Sequence, residues 1–178
     1  SLEHGPLEAL FTVDEEAGMG GARGLAAGML HGQLMLNLDT EAWGEFYLGC
    51  AGGLNVNVVR TGLAEALPED FELAGIRLRG LRGGHSGANI HEGRGNAIKL
   101  LVRTLRELER RWSLRLSTMQ GGTARNALPR EASAVLALPA EAVAELGAVL
   151  DGLQATFRVE LAGVDENVTL SFAPCAIG

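Results

Sequence analysis

The chain has 178 residues, a formal net charge of −7 at pH 7 and a hydrophobic fraction of 47%. This length allows one domain, or one domain and part of a second. The acidic balance argues against a nucleic-acid partner, because such binding depends on neutralising phosphates with basic side chains. No apolar run reaches the roughly 18 residues of a membrane span, so we expect no membrane partner. No basic segment followed by an apolar one opens the sequence, so the expected location is cytoplasmic.

The first third of the chain has the pattern of a parallel α/β sheet. Residues 7–14 and 33–39 are apolar and predict two buried strands, with a short helix in the Gly- and Ala-rich segment 20–29. An Ala-Gly-Gly sequence at residues 51–53 predicts a hinge. Two strands are too few for an independent parallel sheet. Residues 1–53 are therefore interpreted as part of a larger domain.

After residue 53 the patterns become those of an α+β domain. Alternating polar and apolar residues over 71–81 predict a half-exposed strand, and Asn96 has the position of a helix N-cap. Further patterns predict two strands, an amphipathic helix and a last strand at 113–118, 132–138, 140–161 and 168–172. The resulting order, strand-helix-strand-strand-helix-strand, is that of the ferredoxin-like fold, an antiparallel sheet with two helices on one face. Residues 54–178 are interpreted as one complete domain of this kind.

Carboxylates follow both predicted strands of the first part, in a pattern compatible with a metal-dependent hydrolase. Glu15 and Glu16 come after the first strand, and Asp39 ends the second. Strand ends are where α/β sheets present ligands and catalytic groups. A hydrolytic zinc site needs carboxylate or imidazole ligands and a carboxylate that moves protons, so one glutamate of the pair could bind metal while its neighbour handles the proton. The alternative is a helix N-terminus with acidic residues in its first turn.

Two glycine-rich loops of the second part also contain polar side chains suited to chemistry. The Gly-Gly-His-Ser-Gly loop at residues 83–87 presents His85, which can donate a hydrogen bond to a developing oxyanion. The loop at residues 122–126 combines a hydroxyl with Arg125, a residue type that binds carboxylates, and with the amide of Asn126. A turn histidine with a local hydrogen bond and a polar hairpin connection remain open as alternatives. Neither loop has a nucleotide-binding glycine motif.

Five motifs, in this order, resemble those of the aminoacyl-histidine dipeptidases, which are bacterial, carnosinase-like Xaa-His dipeptidases in the clan of di-zinc exopeptidases and aminoacylases. The resemblance covers nearly the whole chain. The Glu-Glu pair and the Gly-Gly-His-Ser-Gly loop are shared across the clan, whereas the forms EEAGM, GCAGG and GGTARN point to the dipeptidase group. The motifs are Thr12–Met19, Asn37–Thr40, Gly49–Gly53, Gly80–Gly87 and Gly121–Glu131.

The resemblance implies that residues 1–53 are part of a zinc peptidase catalytic domain. It implies that Glu15 is the general base for a metal-bridging water, while Glu16 binds one zinc ion and Asp39 binds the other. The family also has an upstream His-x-Asp, an upstream bridging Asp and a downstream His, and no such residues fit here. We therefore expect this chain to be an internal fragment that binds zinc weakly and is inactive by itself.

The resemblance also implies that residues 54–178 are a lid or dimerisation domain. In that domain, His85 would polarise the scissile carbonyl and stabilise the oxyanion, and Asn126 would contact the Xaa-His substrate, with Arg125 a weaker candidate. The lid histidine in this clan often reaches a neighbouring active site, which implies a homodimer as one possible assembly. Two alternatives stay open: an aminoacylase or other peptidase of the same clan, and a non-catalytic dimerisation or binding module.

Overall fold

The chain divides into two compact units, Ser1–Val59 and Arg60–Gly178. The computed structural model describes residues 2–39, 42–50, 52, 54 and 56–175. Two residues of the predicted hinge, Ala51 and Gly53, lie outside these described residues. Within them, no helix is both long enough and apolar enough to cross a lipid bilayer. The interpretation of the two parts as a partial catalytic domain and a lid remains a prediction.

The secondary structure is concentrated in the second unit. Among its described residues, the first unit contains one short helix, α1 (Gly20–Arg23), and the 3-10 helix Ile90–Glu92 lies in the second unit. The other elements are, in chain order, β1 (Phe71–Arg79), β2 (Gly84–His85), α2 (Ala97–Arg111), β3 (Arg115–Gly121), β4 (Ala127–Leu128), β5 (Ala132–Pro139), α3 (Ala140–Glu160) and β6 (Thr169–Pro174).

The second unit is built on a four-stranded antiparallel sheet in the order β3-β5-β1-β6. Strand β1 is central because it pairs with β5 on one side and with β6 on the other. Its residues Ala74, Ile76 and Leu78 are fully buried, whereas Arg77 and Arg79 between and after them are exposed. This alternation is the period of two that a strand with one buried face requires. The prediction of a half-exposed strand here is confirmed.

Helices α2 and α3 bury their apolar residues against the same face of this sheet. Helix α2 begins after Asn96, whose side chain accepts a hydrogen bond from the Lys99 N–H at 3.1 Å, so the predicted N-cap is confirmed. Leu101 of α2 and Phe157 of α3 are fully buried in one cluster with the apolar residues of β1 and β5. Burial of each such side chain stabilises the fold by about 1.5–3 kcal/mol. The ferredoxin-like α+β fold is confirmed.

The predicted buried strands at 7–14 and 33–39 are wrong, because the described residues of the first unit contain no strand. Leu34 and Leu38 in the second of these segments are 83% and 87% exposed. A buried parallel strand needs hydrogen-bonding strands beside it and helices over both of its faces. Two segments with one short helix do not provide this cover. Glu8 of the first segment instead contacts the chain just before the second segment, where its carboxylate accepts the backbone N–H groups of His31 and Gly32 at 2.8 and 2.7 Å.

Candidate functional site

Two loops of the second unit meet in a short antiparallel ladder formed by β2 and β4. Gly84 lies opposite Leu128, and His85 lies opposite Ala127. The Ser86 N–H donates to the Asn126 carbonyl oxygen at 2.7 Å and extends the contact by one residue. The structure therefore brings together the loops of two candidate residues, His85 and Asn126, both of which are exposed.

Arg125, the third candidate of this unit, is also exposed and lies in the turn that leads into β4. The Ala127 N–H donates to the Ala124 carbonyl oxygen at 3.4 Å and closes this turn. The turn fits the alternative of a polar connection between strands. It also places Arg125 next to Asn126 at the end of the ladder, where both side chains are accessible to a ligand.

The imidazole of His85 is oriented by its own loop. The N–H groups of Gly87 and Ala88 both donate to its Nδ1 at 3.1 Å. A nitrogen that accepts two hydrogen bonds carries no proton, so this network assigns the neutral tautomer with the proton on Nε2. The local hydrogen bonds expected of a turn histidine are present, and they leave the Nε2–H as a donor for a ligand.

A chain of polar contacts runs through the rest of this loop. The His85 N–H donates to Asn89 Oδ1 at 2.8 Å, and Asn89 Nδ2 donates to Glu92 Oε1 at 2.7 Å. Arg94 holds the other oxygen of Glu92 at 2.7 Å and donates to the Gly83 carbonyl at 2.6 Å. The hydrogen bond from Asn89 and then the one from Arg94 lower the pKa of Glu92. Glu92 is therefore ionised near neutral pH.

Glycine is required at position 84, where this network approaches the backbone. Gly84 has a φ of +143°, a conformation that residues with a side chain rarely adopt. A Cβ atom here would lie 2.5 Å from an Arg94 guanidinium nitrogen and 2.8 Å from Asn89 Oδ1. The absent side chain therefore leaves room for the polar contacts that surround His85.

A buried carboxylate joins the two ends of the same loop. Asp165, only 2% exposed, accepts the Arg82 N–H on Oδ1 at 2.6 Å and the Gly95 N–H on Oδ2 at 2.7 Å. Arg82 immediately precedes the Gly-Gly-His-Ser-Gly loop, and Gly95 immediately follows Arg94. Hydrogen bonds to an ionised acceptor are stronger than those between neutral groups. Asp165 thus fixes the base of the loop, and the Asn89–Glu92–Arg94 network fixes its interior.

The candidate residues of the first unit lie on exposed turns. The Asp14 carbonyl accepts the N–H groups of Ala17 and Met19 at 3.2 and 2.6 Å, and this turn presents Glu15 and Glu16 to solvent. The pair precedes α1, whose first turn contains no acidic residue. The alternative of an acidic helix N-terminus is therefore wrong.

Asp39 is also exposed, and its N–H donates to Asn37 Oδ1 at 2.8 Å. Over the described ranges, no group of three or more His, Cys, Asp or Glu residues is arranged to hold a metal ion. A catalytic zinc site needs three protein ligands and an open position, and Glu16 and Asp39, assigned to different zinc ions, would provide one ligand each. The described residues of this chain therefore do not complete a zinc site.

Sequence patterns alone did not identify the residues that support His85. Asn89, Glu92 and Arg94 are ordinary polar residues of a glycine-rich loop, and no spacing marks them. Asp165 is 83 residues from Arg82 and 70 from Gly95, so its contacts depend on the finished fold. The glycines around His85 are the signal that the sequence offers for this network. Several glycines close together indicate a backbone that other groups approach closely.

The fold and the paired loops define a class: a ferredoxin-like domain that presents a histidine and an asparagine on one short ladder. Residues 76–165 match the family model described as the peptidase dimerisation domain. The chain belongs to this family.

Two known proteins resemble the chain over most of its length. It is 46% identical over 174 residues to the cytosol non-specific dipeptidase of Escherichia coli (strain K12), covering 96% of this chain and 35% of the relative. The crystal structure of aminoacylhistidine dipeptidase from Vibrio alginolyticus superposes with a TM-score of 0.70 and 40% identity, covering 94% of this chain and 34% of that one. The resemblance to aminoacyl-histidine dipeptidases is confirmed, and the chain spans about a third of the length of the curated relative.

Proposed function

We propose that this chain is part of a metal-dependent dipeptidase that hydrolyses Xaa-His dipeptides. The similarity to two dipeptidases extends over more than nine-tenths of the chain, and one of them is an aminoacylhistidine dipeptidase. The observation that carries the proposal is the β2–β4 ladder, which combines His85 and Asn126 on one exposed edge. A histidine N–H and an amide side chain are both groups that can donate hydrogen bonds to a developing oxyanion or to bound substrate.

In this proposal, His85 donates its Nε2–H to the oxygen of the scissile carbonyl. The donor is oriented before substrate arrives, because Nδ1 is already occupied by two backbone N–H groups. A preoriented donor stabilises the developing oxyanion without a reorganisation cost. In the same proposal, Asn126 contacts the bound dipeptide, and the neighbouring Arg125 binds the C-terminal carboxylate of that dipeptide.

Glu15, Glu16 and Asp39 have the remaining roles. Glu16 and Asp39 would each hold one of two zinc ions, and Glu15 would take a proton from the attacking water and pass it to the leaving amine. The zinc ions, when bound, lower the pKa of that water. Exposure of all three carboxylates in the first unit leaves them accessible for these contacts. In this proposal the 178-residue chain alone binds zinc weakly and has no turnover, because its described residues include no complete set of zinc ligands.

The domain assignment and the location belong to the same proposal. Residues 1–53 are part of the catalytic domain, and residues 54–178 are the lid, whose match to a peptidase dimerisation domain supports a homodimer. A cytoplasmic location is supported by the similarity to a cytosol dipeptidase.

The test is dipeptide hydrolysis with zinc by the full-length protein that contains this chain. Substrates are β-alanyl-histidine, Leu-His and an N-acetyl amino acid. Preference for a C-terminal histidine is expected. Turnover of the N-acetyl amino acid alone would replace this substrate class with that of an aminoacylase, and turnover by the 178-residue chain itself would contradict its proposed inactivity.

A dimerisation module without catalysis is the second candidate, and the matched family model favours it. This function does not require the carboxylates of the first unit. Glu15→Ala in the full-length protein separates the two candidates, with Glu3→Ala as a matched control at another exposed glutamate. Loss of turnover with retained folding supports the enzyme. Unchanged dimerisation together with no turnover of any substrate by the unsubstituted protein supports the module.

A further inference from the structure

We infer that Asn89 is a positioning residue for His85, and that Glu92 and Arg94 hold Asn89 in place. The inference rests on the proposed role of His85 as the oxyanion donor. It adds three residues that do not touch the substrate but determine where the Nε2–H points.

Asn89 fixes the backbone of His85 at both ends. The His85 N–H donates to Asn89 Oδ1 at 2.8 Å, and the Asn89 N–H donates to the His85 carbonyl oxygen at 3.0 Å. The chain between them is bent into a tight turn, and in this turn the N–H groups of Gly87 and Ala88 face Nδ1. Asn89 therefore sets the turn that selects the tautomer and the direction of the imidazole.

The position requires an amide of this length. The side chain at residue 89 accepts a hydrogen bond from His85 through Oδ1 and donates one to Glu92 through Nδ2. Aspartate would accept the first hydrogen bond but would place a carboxylate against Glu92, and alanine would make neither contact. Asparagine has both functions on one short side chain.

Arg94 and Glu92 anchor this amide to the start of the loop. Arg94 holds Glu92 Oε2 and donates to the Gly83 carbonyl, and its side chain is only 14% exposed. A guanidinium that is largely buried has few alternative hydrogen-bond partners. The contacts that join Arg94, Glu92 and Asn89 are therefore held in one arrangement. None of the three side chains belongs to the apolar core, so their substitution leaves the sheet and its helices folded.

The first measurement is the protonation of the His85 ring nitrogens by ¹⁵N NMR in the 178-residue chain, with His85→Gln used for assignment. In the unsubstituted chain we expect Nδ1 without a proton and Nε2 with one. Asn89→Ala and Asn89→Asp should give a mixture of both tautomers, whereas Ile90→Ala, at the neighbouring exposed position, should not. A single unchanged tautomer in both Asn89 variants would overturn the inference.

The second measurement is dipeptide turnover by the full-length protein. His85→Ala should lower kcat by about 100- to 1000-fold, as expected for loss of one oxyanion donor. Asn89→Ala should lower kcat by about 10- to 100-fold with little change in KM, because it misplaces that donor. In the His85→Ala background, Asn89→Ala should have no further effect, because it acts through the missing imidazole.

The outcomes separate the inference from the proposed function. An equal loss of kcat on Asn89→Ala in both backgrounds would show a role independent of His85 and overturn the inference. If His85→Ala leaves turnover unchanged, the proposed role of His85 fails, and the NMR result alone then decides whether Asn89 positions the ring. Glu92→Gln keeps the acceptor for Asn89 and should retain most of the activity, whereas Glu92→Ala should reproduce the Asn89→Ala loss.

Discussion

The two units of this chain contain comparable apolar segments, but the second unit buries its apolar side chains and the first unit exposes them. In the second unit Phe157 is fully buried beneath a four-stranded sheet, and in the first unit Phe11 is 91% exposed. The difference does not arise from hydrophobicity, since both residues lie in segments rich in apolar side chains. The difference in burial arises from the number of secondary-structure elements that each segment can pack against. Burial requires a second surface, and among the described residues a sheet and two helices that provide it are found in the second unit alone.

The two units also differ in the contacts that hold them together: the second has a paired and covered sheet, and the first has exposed hydrogen bonds. Strand β1 is hydrogen-bonded on both sides and covered on one face. In the described residues of the first unit, distant parts of the chain are joined by hydrogen bonds from the backbone at His31 and Gly32 to the carboxylate of Glu8. One exposed carboxylate contributes little compared with a core, because solvent competes for its hydrogen bonds. We therefore expect the two units to respond very differently to matched substitutions.

The largest contrast is expected for a pair of phenylalanines. Phe157→Ala removes a fully buried ring and should lower the free energy of unfolding by about 3–5 kcal/mol. Phe11→Ala removes a ring that is already 91% exposed and should change it by less than about 0.5 kcal/mol. Urea unfolding monitored by circular dichroism measures both. Equal losses would show that the first unit has a core of its own.

The next contrast compares two aspartates of the second unit. Asp165→Asn replaces one acceptor oxygen with an NH₂ group that faces a backbone N–H, and should lower the free energy of unfolding by about 1.5–3 kcal/mol. Asp151→Asn on the exposed face of α3 should change it by less than about 0.5 kcal/mol. Denaturant midpoints of the two variants provide the comparison. If Asp165→Asn leaves the denaturant midpoint unchanged, the base of the His85 loop does not unfold cooperatively with the sheet and helices.

A pair of glycines gives smaller effects of opposite sign. Gly84→Ala introduces a side chain at a φ of +143° and in contact with Arg94, and should destabilise by about 1–3 kcal/mol. Gly152→Ala lies in the middle of α3 with nothing within 4 Å of the new Cβ, and should stabilise by about 0.5–1 kcal/mol. Thermal unfolding measures both shifts. A stabilising Gly84→Ala would contradict the close contacts in the loop.

The smallest effect is a pH dependence from one exposed ion pair. Arg103 donates two hydrogen bonds to Glu160 and lowers the pKa of that carboxyl below its ordinary value of 4.5. The stabilisation is present above the unfolded-state pKa and is lost as the pH falls through the lowered value. The unsubstituted chain should therefore lose more stability below about pH 4.5 than the Glu160→Gln variant does. Added salt should weaken this difference between the two proteins. Glu145→Gln, at an exposed position of the same helix, is the control.

The sequence predicted the second unit well because its signals are local. Alternation in β1 and the N-cap at Asn96 depend on neighbours a few residues away. The segments at 7–14 and 33–39 have an equally clear apolar pattern, but such a pattern shows only that a segment is suited to burial. Whether strands form depends on partners elsewhere, and the pattern carries no information about them. For the same reason His85 was found by its motif, while Asp165 was found only in the fold.

The short ladder between β2 and β4 couples two parts of the chain mechanically. Because His85 pairs with Ala127 and Ser86 bonds to Asn126, a displacement of one loop carries the other with it. We therefore expect the side chains of His85 and Asn126 to move together. In the proposed function, this coupling predicts that the imidazole and the amide form their contacts with substrate in a single step.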